Sequence, residues 1–237
     1  MVKKLVVLTA LILAAFSITG TAWGDTVPVT NASFESISYT LPSHCPVPYN
    51  QGCAYNHDLG IPGWSVTNGG SFQPSVVTQT SPLNGYFFSI PDGSLVGYTN
   101  GGTISQTLAA TALSNNTYTM SVFVGDRLDG FGGTYTLSLE TIIAGGTVTG
   151  TICSLSGNTS NIQPGTWVDE SCTGTPTSSG NLYLFFQSTG QQLDVDNVSV
   201  NYTAVPEPSS VLLLAIGVLA VLAGFLFSRR NPLALNA

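Results

Sequence analysis

Positive charge is nearly missing from this chain: its 237 residues hold five Lys and Arg and two His. Four of those five, Lys3, Lys4, Arg229 and Arg230, stand at the two ends, so Arg127 is alone between residues 25 and 204. Eleven of the twelve acids lie in that same stretch, and one cation against eleven anions is a formal charge of −10. Nucleic acid is thereby excluded as a partner, because phosphate binding needs clustered Lys and Arg. An acidic, weakly charged surface suits cations, or neutral ligands such as sugars. The usual catalytic signatures are missing too. No CxxC, HExxH or GxSxG occurs, and His44 and His57 lack the spacing that makes a zinc helix. No glycine-rich turn is followed by a helix, which removes the nucleotide-binding βαβ fold. The expectation is a protein that is not an enzyme.

Both ends are apolar. Met1-Val2-Lys3-Lys4 is followed by an apolar stretch from Leu5 to Ile18, and Ala22-Trp23-Gly24 offers small residues where a signal peptidase reads. Residues 1–24 therefore read as a signal peptide cleaved after Gly24. At the other end Val205-Pro206-Glu207-Pro208 precedes an apolar run from Val211 to Phe227, then Arg229-Arg230. Seventeen helical residues reach about 26 Å, near the short limit for a bilayer. The run 211–227 reads as a transmembrane helix with the arginines on the cytoplasmic side.

This tail, 205–237, resembles a PEP-CTERM sorting signal: a Pro-Glu-Pro motif, an apolar helix and a basic stop. The resemblance implies export, then recognition by an exosortase-type processing enzyme. Val205, Pro206, Glu207, Pro208, Arg229 and Arg230 carry it.

Between the ends, residues 25–204 have the size of one domain. Cys45, Cys53, Cys153 and Cys172 are an even set in an exported chain, which points to disulfides. Three connectivities are possible; Cys45–Cys53 with Cys153–Cys172 is the simplest. No stretch keeps a helical period, and alternation of period two dominates. Thr134–Glu140 and Leu193–Val200 show it best. Strands are expected at 26–34, 63–67, 86–90, 95–98, 103–108, 117–124, 134–143, 147–152, 166–172, 181–187 and 192–202. Turns are expected at Asn68-Gly69-Gly70, Pro91-Asp92-Gly93, Asn100-Gly101-Gly102, Asp129-Gly130, Gly145-Gly146 and Ser179-Gly180. The fold class is all-β, an antiparallel β-sandwich.

Asn31-Ala32-Ser33-Phe34-Glu35, Ile61-Pro62-Gly63-Trp64 and Asp194-Val195-Asp196-Asn197-Val198 are similar, in that order, to motifs of galactose-binding-like jelly rolls. That resemblance implies a structural calcium ion shared by Glu35 and Asp196, with Asp194 or Asp92 as additions; the oxygen-rich chemistry suits a hard cation. The alternative is a solvated Glu35 and an Asp196 bonded to backbone N–H groups.

Asp126-Arg127-Leu128-Asp129 reads either as a local ion pair or as a site where guanidinium and carboxylates bond sugar hydroxyls. Among the aromatics, Trp64 reads as core, while Tyr49 and Tyr55, beside Cys53, read as exposed candidates for stacking on a sugar ring. The functional expectation is an exported surface or extracellular-matrix protein, held at the membrane, whose sandwich makes non-catalytic contacts with extracellular polysaccharide. The alternatives are a purely structural matrix component and a polysaccharide hydrolase with paired carboxylates.

Overall fold

The computed structural model describes residues 24–38, 54–55, 60–74, 76, 85–204, 214–219 and 221–222. Two units are present: residues 24–204 form one, and the two terminal segments contribute to the other. In the terminal unit 214–219 and 221–222 are helical. Among the described residues no helix is long and apolar enough to cross a membrane. Residues 1–23 of the expected signal peptide 1–24, the Pro-Glu-Pro motif and Arg229-Arg230 lie outside the described residues, while Gly24 is in a strand.

The larger unit is built from ten strands in chain order: β1 (Gly24–Val27), β2 (Ala54–Tyr55), β3 (Ser65–Gln73), β4 (Val96–Thr111), β5 (Asn116–Gly125), β6 (Thr134–Ile143), β7 (Thr147–Asn158), β8 (Trp167–Gly174), β9 (Asn181–Thr189) and β10 (Gln192–Ala204). Every strand-to-strand pairing is antiparallel. The sheet runs β7-β6-β9-β4-β10-β5-β8, with β3 on β4, β2 on β3 and β1 on β10. Its path doubles over at β4. The first part of β4, Gly97–Asn100, pairs with β10, and the second, Thr103–Thr111, pairs with β9. A front half (β7, β6, β9, end of β4) therefore faces a back half (start of β4, β10, β5, β8).

The core fills the space between. Leu182, Leu184 and Phe186 of β9 and Leu137 and Leu139 of β6 meet Met120, Val122 and Val124 of β5 and Val195, Val198 and Val200 of β10. Alternation along each strand puts these residues on one face, and each full burial contributes about 1.5–3 kcal/mol. Trp64 and Phe34 close the core at one side, with ring centroids 5.1 Å apart.

Two expected turns are instead bends inside strands. Asn68, at φ 50°, and Gly69 sit in β3, where the register with β4 shifts between Thr67 and Gly69. Gly101, at φ 69°, and Gly102 lie within β4. A Cβ on Gly69 would run into the Tyr98 carbonyl, and one on Gly102 into the Thr67 carbonyl. These glycines let the paired strands cross from the back half to the front half, so their turn-like composition makes bulges. Two further expectations change. Residues 86–90 form no named strand, and β1 ends at Val27 because Asn31 and Phe34 adopt positive φ in a turn.

At the path's two ends, β7 and β8 come together without pairing, and a disulfide joins Cys153 to Cys172 with Cα atoms 5.8 Å apart. It is one of the two bridges expected. Cys45 and Cys53 lie outside the described residues.

Candidate functional site

Three groupings of polar or aromatic side chains stand out. The first is at the end of the sandwich where β4 and β10 begin. Glu35 follows Phe34, whose ring is buried against Gly97. From there the Glu35 carboxylate reaches the loop before β4, accepting from the backbone N–H of Ser94 at 2.8 Å and Leu95 at 2.6 Å. Gly93, at φ +64°, leaves the space that this carboxylate fills. Asp196 meets the same loop from below, accepting from the N–H of Asp92 at 3.0 Å and of Asn197 at 2.8 Å. Ser33 donates to Asp92. Asp196 is pushed up to about 7, first by burial and then by the nearby Asp92 and Glu35 carboxylates, against the pull of its two N–H donors. Of the residues named for calcium, Glu35, Asp92 and Asp196 thus meet at one loop, with backbone N–H groups against the Glu35 and Asp196 oxygens; Asp194 does not join them and accepts from Gln192 instead. Among the described residues no group of three or more His, Cys, Asp or Glu is arranged to hold a metal ion. As arranged, the set fits a loop clamp better than a calcium shell.

The second grouping lies beside the first, on the outer face of the back half. Arg127 is buried. Its Nε donates to Asp129 Oδ1 at 3.0 Å, its Nη2 donates to Asp129 Oδ2, and its Nη1 donates to Gln192 at 2.7 Å. The guanidinium lies 3.9 Å from the Tyr86 ring centroid and 5.3 Å from that of Phe131. Gln192 in turn donates to Asp194 at 2.6 Å. Asp194 is also pushed up to about 7; burial is the main cause, and Arg127 and Gln192 offset it in part. Burial raises Asp126 as well. Direct cross-strand partners share a face, so Asp194 lies beside Tyr98 on one side and Gly125 on the other. The rings of Phe87 and Trp167 occupy the space over Gly125, stacked with centroids 4.5 Å apart. The local ion pair expected for Asp126–Asp129 is therefore present, tied into a network with every partner inside the protein. The segment 86–90 covers this face as a loop, with Phe87 fully buried in a second apolar cluster.

The third grouping was not expected. On β9, Leu182, Leu184 and Phe186 point inward, so Tyr183 and Phe185 point outward, half-buried. Their ring centroids are 6.2 Å apart and their planes 30° apart. The strand register surrounds them with hydrogen-bonding groups, all neutral except the Glu140 carboxylate. Thr107 and Glu140 flank Tyr183; Ser105 and Ser138 flank Phe185; Thr103 and Thr136 flank Gln187. Ser65 and Thr67 extend the rows on one side, and Ser154 and Ser156 on the other. Ser138 donates to Glu140 at 2.8 Å. A groove of about 540 Å3 opens at the Tyr183 end, lined also by Trp64, Ser105, Thr107 and Ile142. The signal was the period of two that any strand imposes on the run Leu-Tyr-Leu-Phe-Phe, which separates Tyr183 and Phe185 from Leu182, Leu184 and Phe186. A strand that fills a core with every second residue turns the others to the opposite face.

The aromatics named from sequence fare differently. Trp64 is core, its indole N–H donating to the Asn31 carbonyl at 3.0 Å. Tyr49 and the side chain of Tyr55 lie outside the described residues.

Comparison with known proteins adds the following. Similar folds include the CBM22-1 xylan-binding domain of Paenibacillus barcinonensis Xyn10C (13% identity, 78% of this chain and 99% of that one, TM-score 0.44). The C-terminal family 22 carbohydrate binding module of Clostridium thermocellum Xyn10B is another (13%, 66% and 95%, 0.39). The enzymatically active domain of bacteriophage CBA120 tailspike protein 4 is a third (14%, 60% and 19%, 0.39). Such values carry no argument about activity. No curated protein matches the chain. Residues 204–230 match the PEP-CTERM protein-sorting motif, which indicates an exported protein sorted to the membrane. Residues 25–207 match the family described as HpiC1-like, HpiC1 cyclase, and this chain belongs to that family.

Proposed function

We infer that this is an exported protein, handed to an exosortase-type enzyme at the membrane, whose sandwich binds a neutral polysaccharide on its front face. The observation that carries the reading is the outward pair Tyr183 and Phe185 within rows of hydroxyl and amide groups. Sugar rings present apolar faces edged by hydroxyls, and two neighbouring outward aromatics, tilted by 30° to each other, beside Ser, Thr and Gln offer partners for both features. Glu140 is the sole carboxylate in these rows, so hydrolysis by paired acids has no second partner there. The cell surface or extracellular matrix is the place this activity suits, with the segment 211–227 as the anchor until processing.

The test is a glycan array probed with the full chain in detergent, wild type beside Tyr183→Ala/Phe185→Ala. Selective retention that weakens at least tenfold in the variant, about 1.4 kcal/mol, is expected. Both positions are half-exposed, so a melting curve should move little. No retained glycan, or equal retention by the variant, overturns the reading and favours a purely structural role.

The family's description brings a second reading, a cyclase. One observation favours it: the buried Asp194 lies among Tyr98, Phe87 and Trp167, and aromatic faces stabilise cationic character in a reacting ligand. A small aromatic ligand that quenches Trp167 emission in wild type and has no effect in Asp194→Asn would support it. Quenching that is unchanged in the variant would count against it.

A further inference from the structure

One charge interrupts the neutral rows of the front face. Glu140, half-buried on β6, is their single carboxylate. Its direct cross-strand partners are Tyr183 on one side and Thr151 on the other. The pairing of β6 with β7 shifts register just before Glu140 and again after Thr141, which leaves Ile152 and Thr149 as extra residues on β7. Such bulges bend a strand and re-aim the side chains beside them. Glu140 therefore stands where the regular ladder is interrupted on both sides.

The carboxylate has capacity to spare. Among the described residues its hydrogen-bond donor is the Ser138 hydroxyl, 2.8 Å from Oε1. Oε2 is left for a donor from outside, and an ionised carboxylate can accept two bonds in parallel. No Lys or Arg balances it. Arg127, the single one between residues 25 and 204, is buried and forked to Asp129 and Gln192.

Direct partners have Cβ atoms about 4.5–5.5 Å apart, so a sugar ring stacked on Tyr183 brings its edge to Glu140. What that edge carries decides the outcome. Adjacent hydroxyls donate to the carboxylate, and such charge-assisted bonds are stronger than neutral ones. A uronate or other acid group there supplies no donor and sets two like charges a few ångströms apart.

We propose that Glu140 is the specificity-determining residue of the glycan face: it bonds hydroxyls of the sugar on Tyr183 and turns away acidic polysaccharides. The proposal rests on the glycan-face reading and gives that face its substrate class, neutral chains with free vicinal hydroxyls.

The test uses the full chain in detergent on xylan, dextran, galactan and mixed-linkage glucan, each plain and lightly carboxymethylated. Glu140→Gln removes the charge and keeps the shape. Asp169→Asn, exposed on β8 in the back half, removes the same charge elsewhere. Melting curves check that both variants fold. Wild type is expected to retain a plain glycan at least about tenfold more strongly than its carboxymethylated form, the scale of like charges meeting at a protein surface. Glu140→Gln should bring that ratio to about threefold or less, and Asp169→Asn should leave it unchanged. Equal or stronger retention of the carboxymethylated form by wild type overturns the proposal and leaves the glycan face standing. So does a ratio that Glu140→Gln alters no more than Asp169→Asn does, which assigns the discrimination elsewhere. Retention of no glycan in either form overturns both.

Discussion

Raising the pH from 4 to 8 in chelator should lower the melting temperature by on the order of 10 °C. Two buried carboxyls set this expectation. Asp194 and Asp196 titrate near 7 in the folded protein, against an ordinary value of 3.8. Between those limits the native state holds protons that the unfolded chain has released. Their contribution is therefore fully present below pH 3.8 and is lost as pH rises through 7. Each carboxyl contributes roughly 4 kcal/mol as a ceiling, and a domain of this size shifts about 2–4 °C per kcal/mol. The groups facing Asp194 are Arg127, Gln192, Asp126 and Asp129; those facing Asp196 are Asp92 and Glu35. Asp194→Asn and Asp196→Asn should each flatten part of the slope, and a melting temperature that is level from pH 4 to 8 would mean that water reaches both acids. Calcium supplies a second arm. A cation drawn in by Glu35, Asp92 and Asp196 restores stability at pH 8 while leaving the Asp194 share in place. An unchanged curve assigns those carboxylates to the loop's N–H groups alone.

Opening the Cys153–Cys172 bridge should cost about 3 kcal/mol, the loss of a constraint on a loop of this length. For 19 residues of separation that corresponds to roughly 6–12 °C of melting temperature. The bridge is placed where backbone pairing gives no help, between the two ends of the sheet path. Nearby, the Tyr135 hydroxyl donates to Glu170 at 2.7 Å, a second tie between the halves. Cys153→Ser/Cys172→Ser, compared with wild type by denaturant titration, checks the value. A loss below about 1 kcal/mol would show that core packing alone holds β7 against β8.

How far the fold was legible depended on what each residue's signal was about. β5, β6, β9 and β10 were readable because both ends of each strand are marked by turn residues and the interior alternates. Asn68-Gly69-Gly70 and Asn100-Gly101-Gly102 misled because a bulge and a turn ask for the same backbone freedom. Only the pairing partner tells them apart, and the partner is distant in sequence. Tyr86–Ile90 has strand composition, yet its Phe87 ring is buried on the outside of the sheet by tertiary packing, which composition does not report. For the sites, the motif order brought Glu35 and Asp196 to one loop, because the opening and closing segments of the domain are neighbours. Tyr183 and Phe185 were hidden in a segment valued for its apolar density, where the face each residue takes matters more than the total.

The burial of Arg127 against the Tyr86 ring has a consequence for the lifetime of the exported protein. Residues 25–204 contain no Lys, and this guanidinium is their sole Arg. A trypsin-like protease needs that side chain in its specificity pocket and the backbone around it extended. Neither is available while Asp129 and Gln192 hold the fork. For such enzymes the sandwich presents no cut site in its native state, so its survival is timed by how often the 126–131 loop opens, or the whole domain unfolds.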